Sequence, residues 1–167
     1  MKKILFSSFI VLMLQIPFYL ESSVPIPVLK WRNGGYSFVE FNKAYYTSPA
    51  TLDVNEDGIK DIIWANFKVF AFDGENGNVI WWFYAGTDRA NPDIRNSIGT
   101  HCSVSVADIN ADGQQEIVTA HSNGMVCAYN KNGYFLPGFP TRPTGRNDSI
   151  NSLSVYDLDN DGDMEII

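Results

Sequence analysis

Three nine-residue stretches of this chain concentrate side-chain oxygens at fixed offsets. They are DVNEDGIKD from Asp53, DINADGQQE from Asp108 and DLDNDGDME from Asp157. Positions 1, 3 and 5 are Asp53, Asn55 and Asp57 in the first, Asp108, Asn110 and Asp112 in the second, and Asp157, Asp159 and Asp161 in the third. Position 6 is always glycine, which enters the left-handed backbone region without steric cost and lets a short loop fold back on itself. Alternate side chains of such a loop converge on one point. There the backbone carbonyl of position 7 (Ile59, Gln114, Asp163) adds an oxygen, and the carboxylate of position 9 (Asp61, Glu116, Glu165) closes the shell. An all-oxygen, mostly anionic set suits a hard cation that tolerates irregular geometry, Ca2+ before Mg2+. It offers no sulfur or imidazole for zinc. The expectation is about three Ca2+ sites, one per loop.

Charge supports an ion in each loop. The three windows hold twelve of the chain's 19 acidic residues, and the net charge is −7. Three divalent cations would nearly neutralise it, whereas three or more carboxylates in an empty loop repel one another at short range. An EF-hand is excluded on spacing, because its loop closes with a carboxylate at position 12. That position is Trp64 in the first loop and Thr119 in the second. For a single copy an ordinary solvated Asx turn explains the residues equally well. Three copies in one relation to their flanks favour the ion.

The flanks are strands. SPATLDV, CSVSVADI and SLSVYDL precede the loops, and DIIWANF, EIVTAHS and EII leave them. KVFAFDGENGNVIWWFY then aligns with MVCAYNKNGYFLPGF as a short apolar strand, a glycine-containing turn and an aromatic strand. The loops recur about every 50 residues, the period of blades or arrays. Each unit reads as four strands of about five residues, and nothing after residue 23 has helical periodicity. The fold class expected is all-β, a partial β-propeller of four-stranded antiparallel blades. The divisions are 24–46 as lead-in or partial blade strands, 47–99 and 100–149 as blades with a loop each, and 150–167 as the start of a third blade. About two and a quarter blades are present where propellers have 4 to 8, so a fragment is expected.

The loops and strands together resemble the FG-GAP/VCBS repeats of integrin-α-like calcium-binding β-propellers, over residues 45 to 167. VCAYNKNGYFLPGFP looks like the outer half of a bacterial-type blade, while the Phe-Gly and Gly-Ala-Pro signatures are not evident. The resemblance implies Ca2+ between blade strands, held by Asp53, Asn55, Asp57 and Asp61, by Asp108, Asn110, Asp112 and Glu116, and by Asp157, Asp159, Asp161 and Glu165. A weaker similarity links AFDGENGNVIW (71–81) to the tryptophan-docking repeat of quinoprotein propellers, with Trp81 as an inter-blade packing residue. Blade topology puts Cys102 on a first strand and Cys127 on a third. Two strand spacings are about 9.6 Å, beyond the roughly 7 Å that a disulfide can bridge between Cα atoms, so free buried thiols are expected.

The N-terminus, MKKILFSSFIVLMLQIPFYLESS, has two lysines, an apolar run and small polar residues, the pattern of a cleaved secretory signal over residues 1–23. An uncleaved anchor is the alternative and the single route to a membrane. Either reading places the rest outside the cytoplasm, secreted or at the cell surface. The net charge argues against a nucleic-acid partner. The leading function is a calcium-binding adhesion or ligand-binding module for a glycan or extracellular protein, with Arg89, Arg95, Arg142 and Arg146 on its exposed loops. The alternative is the propeller part of a secreted polysaccharide-degrading, lyase-like enzyme whose catalytic residues lie mostly elsewhere. His101 and His121 sit in no nucleophile or metal motif and read as structural or solvated, and no catalytic residue is assigned. Asn147-Asp148-Ser149 forms a lone glycosylation sequon.

Overall fold

The structure, a computed structural model, describes residues 28–32, 47–93, 98–100 and 102–167. The signal segment, most of the lead-in, Arg95 and His101 lie outside these residues. All regular elements described are β-strands, and no described helix is long and apolar enough to cross a membrane.

The first repeat forms a four-stranded antiparallel sheet, β1 (Ala50–Leu52), β2 (Asp61–Ala65), β3 (Lys68–Phe72) and β4 (Val79–Tyr84), in chain order. Alternation divides its side chains between two faces. Ile63, Ala65, Val69, Ala71, Trp81 and Phe83 point to one side and are buried. The other side carries a cross-strand ladder, Trp64 opposite Phe70 opposite Trp82. There Phe70 stacks on Phe72 and the Lys68 ammonium lies 3.8 Å above the Trp82 ring.

In the second repeat, β5 (Ser105–Ala107), β6 (Glu116–Ala120) and β7 (Val126–Tyr129) form a three-stranded sheet. The fourth strand expected here is reduced to isolated bridges, Tyr129 with Phe135 and Val126 with Thr141. Pro137 and Pro140 supply no N–H to a ladder, so only Leu136 and Thr141 bond back to β7, at 3.0 and 2.9 Å. The third repeat is the pair β8 (Val155–Tyr156) and β9 (Glu165–Ile166), where the chain ends.

The middle sheet is covered on both faces, which is why every residue of β6 and β7 is buried. Ile117, Cys127 and Tyr129 pack with the first sheet, including Trp81 and Phe83. Val118, Ala120, Val126 and Ala128 pack with Leu153, Val155 and Ile166 of the third repeat. Trp81 therefore packs between repeats, as its sequence context implied. The first strands of consecutive repeats are neighbours, and Val104 N–H donates to Ser48 C=O at 3.2 Å. That bond also explains one departure from expectation: Cys102 lies before β5 rather than in it. The chain there bonds to the preceding repeat, and the Cys102 thiol turns onto the Ala120 carbonyl at 3.3 Å. Both cysteines are free and buried.

Candidate metal centres in three repeated loops

Each loop joins the first strand of a repeat to its second. Two residues per loop adopt left-handed backbone, the glycine at position 6 (Gly58, Gly113, Gly162) and the residue before position 5 (Glu56, Ala111, Asn160, with φ of 62°, 56° and 60°). The glycine was legible in the sequence. The second residue was not, because Glu, Ala and Asn share no chemistry that marks a left-handed position.

The resulting curl turns backbone N–H groups inward onto the acidic side chains. Asp53 accepts from Asp57 N–H (3.2 Å) and Gly58 N–H (2.9 Å), and Asp57 accepts from Ile59 N–H (2.7 Å). Asn55 accepts the Asp57 N–H at 3.1 Å and donates its amide to the Asp57 carboxylate at 2.9 Å. The second loop repeats the set through Asp108, Asn110 and Asp112, with Gln114 N–H on the Asp112 carboxylate at 2.8 Å. In the third, Gly162 N–H donates to Asp157 (3.1 Å), Asp161 N–H to Asp159 (3.3 Å) and Asp163 N–H to Asp161 (2.9 Å).

The closing carboxylate performs one task in all three copies. It accepts the N–H of position 2: Val54 to Asp61 at 2.9 Å, Ile109 to Glu116 at 3.0 Å and Leu158 to Glu165 at 2.8 Å. Asp61 and Glu116 start β2 and β6 and are almost wholly buried, with 0% and 2% exposure. Burial pushes the Glu116 carboxyl above its ordinary range; the Ile109 N–H opposes this, and the nearby Asp112 and Asp108 charges add to it.

Positions 1, 3 and 5 thus accept backbone N–H groups of their own loop in every copy, yet the three copies differ. Asp61 also accepts Gly74 N–H at 2.9 Å, so both of its oxygens are engaged. In the third loop the ligand atoms of Asp157, Asp159 and Glu165 lie within 4.8 Å of one another, the one such carboxylate group among the described residues. Asp157 Oδ1 there is buried without a hydrogen-bond partner. Its counterparts in the other loops each accept an N–H from position 5. A buried anionic oxygen left unpaired is costly, and a cation is the chemical species that such a donor set fits.

A family model described as FG-GAP-like repeat matches residues 53–119 and again 108–167, more than half of the chain. The chain belongs to the FG-GAP-like repeat family. Each match to these FG-GAP-like repeats begins on the first aspartate of a loop. No curated protein matches the chain. Among solved structures, the chain is similar to the crystal structure of the V. cholerae biofilm matrix protein Bap1, with a TM-score of 0.58 and 19% identity. That alignment covers 83% of this chain and 25% of that one, so the chain spans about a quarter of its structural neighbour.

Two residues took roles that spacing alone did not reveal. His121 is fully buried, with Nδ1 3.0 Å from the Ile98 carbonyl and Nε2 3.0 Å from the Thr119 hydroxyl. A carbonyl only accepts, so Nδ1 carries the proton and Nε2 accepts from Thr119. Burial lowers the His121 pKa to about 4, the Ile98 carbonyl opposing the shift, and the ring is a neutral structural group. Trp31 donates its Nε1–H to Gly74 C=O at 3.1 Å and lies over Gly77, where an added Cβ would fall 2.6 Å from the ring.

Proposed function

We propose that the chain is an extracellular calcium-clamped module, a partial β-propeller of FG-GAP-like repeats that serves adhesion or ligand binding to a glycan or a protein. The observation that carries this reading is the threefold recurrence of one loop whose closing carboxylate, at the start of the second strand, accepts the N–H of position 2. Ca2+ is structural here. Asp53, Asn55 and Asp57, their counterparts Asp108, Asn110 and Asp112, and the four acids Asp157, Asp159, Asp161 and Glu165 supply side-chain oxygens. Ile59, Gln114 and Asp163 offer carbonyls. Asp61 and Glu116 fasten the loop to its strand. The ion replaces mutual repulsion with a shared counter-charge, and the hairpin between first and second strands stiffens. An affinity of the order of 10⁻⁴ to 10⁻³ M suffices in a calcium-rich extracellular medium.

The likeness to a biofilm matrix protein supports an extracellular setting for this module. So does the N-terminal segment, read as a secretory signal. Calorimetric titration of the chain with Ca2+, paired with thermal melts with and without chelator, tests the reading. About three sites and a melt lowered by chelator are expected. No heat of binding and an unchanged melt would reduce the loops to acidic turns.

A further inference from the structure

A cavity of about 190 Å³ opens beside the second loop, at a place that is filled in the first repeat. In the first repeat the β3–β4 turn packs directly on the loop. Gly74 N–H bonds to the Asp61 carboxylate, and a methyl group on Gly74 would fall 1.9 Å from the Lys60 carbonyl oxygen. Only glycine permits that approach. The two turns align through their capping residues, Asp73 and Asn130, whose side chains each accept two backbone N–H groups. Lys131 therefore stands where the first repeat has Gly74. Its side chain cannot occupy the glycine's space; it reaches across to pair with Glu56 of the first loop. The turn of the second repeat stands off, and the gap between turn and loop is the cavity.

Its walls are chemically mixed. Asp112 and Glu116 contribute carboxylates, and the second oxygen of Glu116 has no donor among the described residues. Gln115 and Asn132 bring amide groups, and Leu136 is apolar. Lys131 also lines the cavity but is already paired with Glu56. In the calcium-free loop two carboxylates therefore disfavour an anionic ligand, while amides and carboxylates together match a ligand with several hydroxyls. An apolar side chain suits the C–H face of a ring. The volume lies below the roughly 300 Å³ at which pockets for drug-sized ligands begin, which limits the occupant to about one ring. We propose that the cavity between the second loop and the Asn130–Gly133 turn binds one neutral pyranose unit of a glycan. This narrows the ligand-binding part of the proposed function to a single site.

The test is titration of the whole chain with the methyl glycosides of glucose, galactose and mannose, and with glucuronate, followed by NMR of the side-chain amides. At least one neutral glycoside saturates in the millimolar range and shifts the Gln115 and Asn132 amides, with glucuronate roughly tenfold weaker in chelator, where the carboxylates carry no counter-ion. Lys131→Gly, which copies the first repeat, and Gln115→Trp, which fills the gap, each weaken binding at least about tenfold. Glu75→Gln, on the exposed turn of the first repeat, leaves it unchanged. No saturable neutral glycoside, equal binding of glucuronate in chelator, or full binding by both cavity variants would overturn the site. Repeating the series in calcium and in chelator separates the two proposals. Calcium-sensitive melting without sugar binding removes the site alone, and sugar binding with a calcium-insensitive melt removes the clamp alone.

Discussion

In the first repeat the closing carboxylate of Asp61 accepts N–H groups from Val54 and Gly74, whereas in the second Glu116 accepts only that of Ile109. The nine-residue motif is the same. What differs is the turn behind it, docked through Gly74 in one case and separated from the loop by a cavity lined by Lys131 in the other. A repeated loop therefore does not guarantee a repeated energetic role. The first loop is tied to its sheet by two protein donors, the second by one.

The largest effect should follow from removing the first loop's tie. Asp61→Ala leaves two amide donors without acceptors, each costing about 1–3 kcal/mol, for a total of about 2–6 kcal/mol in urea unfolding. Glu116→Ala orphans one, and about half that loss is expected. Equal losses would mean that the Gly74 bond adds nothing and the two repeats are equivalent.

Five residues beyond the closing carboxylate the repeats diverge again, with Asn66 in the first and His121 in the second. The His121 pKa is lowered to about 4 in the folded protein, against 6.5 when unfolded. A depressed pKa contributes stability that is fully present above the unfolded value and drains away as pH falls, because the unfolded state takes up the proton first. Between pH 6.5 and about 4 the chain should lose about 3 kcal/mol through this group. Acid-titrating carboxylates overlap this window, so the comparison is with His121→Asn, which copies the first repeat and should flatten that part of the profile. An unchanged profile would deny His121 its role.

Such differences also mark the limit of what the sequence disclosed. The strands around each loop were legible from period-2 alternation, and the loop's ligand positions from their spacing and glycine. The fourth strand of the second repeat was expected from alignment with KVFAFDGENGNVIWWFY, but Pro137 and Pro140 remove the donors that a ladder requires. The strand position of Cys102 was lost to a backbone bond between repeats, which no local pattern encodes. His121 and Asn66 could have been paired by counting from the closing acids, yet their burial depends on a sheet packed on both faces. The meeting of Trp31 with Gly74 and Gly77 spans more than 40 residues, beyond any spacing rule.

That meeting predicts a smaller effect. Trp31→Ala removes one hydrogen bond and the ring over Gly77, for about 1–2 kcal/mol. Gly77→Ala should cost at least as much, since its Cβ would fall within 2.6 Å of the indole at a φ of 77°. The second repeat, whose turn meets Phe83 and Arg89 instead at Gly133, should not respond to Trp31→Ala. Amide exchange resolves the two turns. Protection lost at Gly77 but kept at Gly133 is expected; loss at both would mean that the repeats unfold as one unit.

The smallest and most diagnostic effect concerns position 3, Asn55 and Asn110 against Asp159. Asn55 donates to Asp57 and so relieves an acid, whereas Asp159 adds charge to a cluster in which Asp157 Oδ1 already lacks a partner. If the loops hold Ca2+, ligand charge sets affinity. Asp159→Asn should then weaken the third site several-fold, and Asn55→Asp should strengthen the first by a similar factor, a difference of about 1 kcal/mol each. In chelator the signs reverse. Asp159→Asn stabilises the chain by removing repulsion and Asn55→Asp destabilises it, as differential melts would show. Only an ion makes the same substitution help in one buffer and harm in the other. Effects of one sign in both buffers would mean that position 3 acts through hydrogen bonding alone.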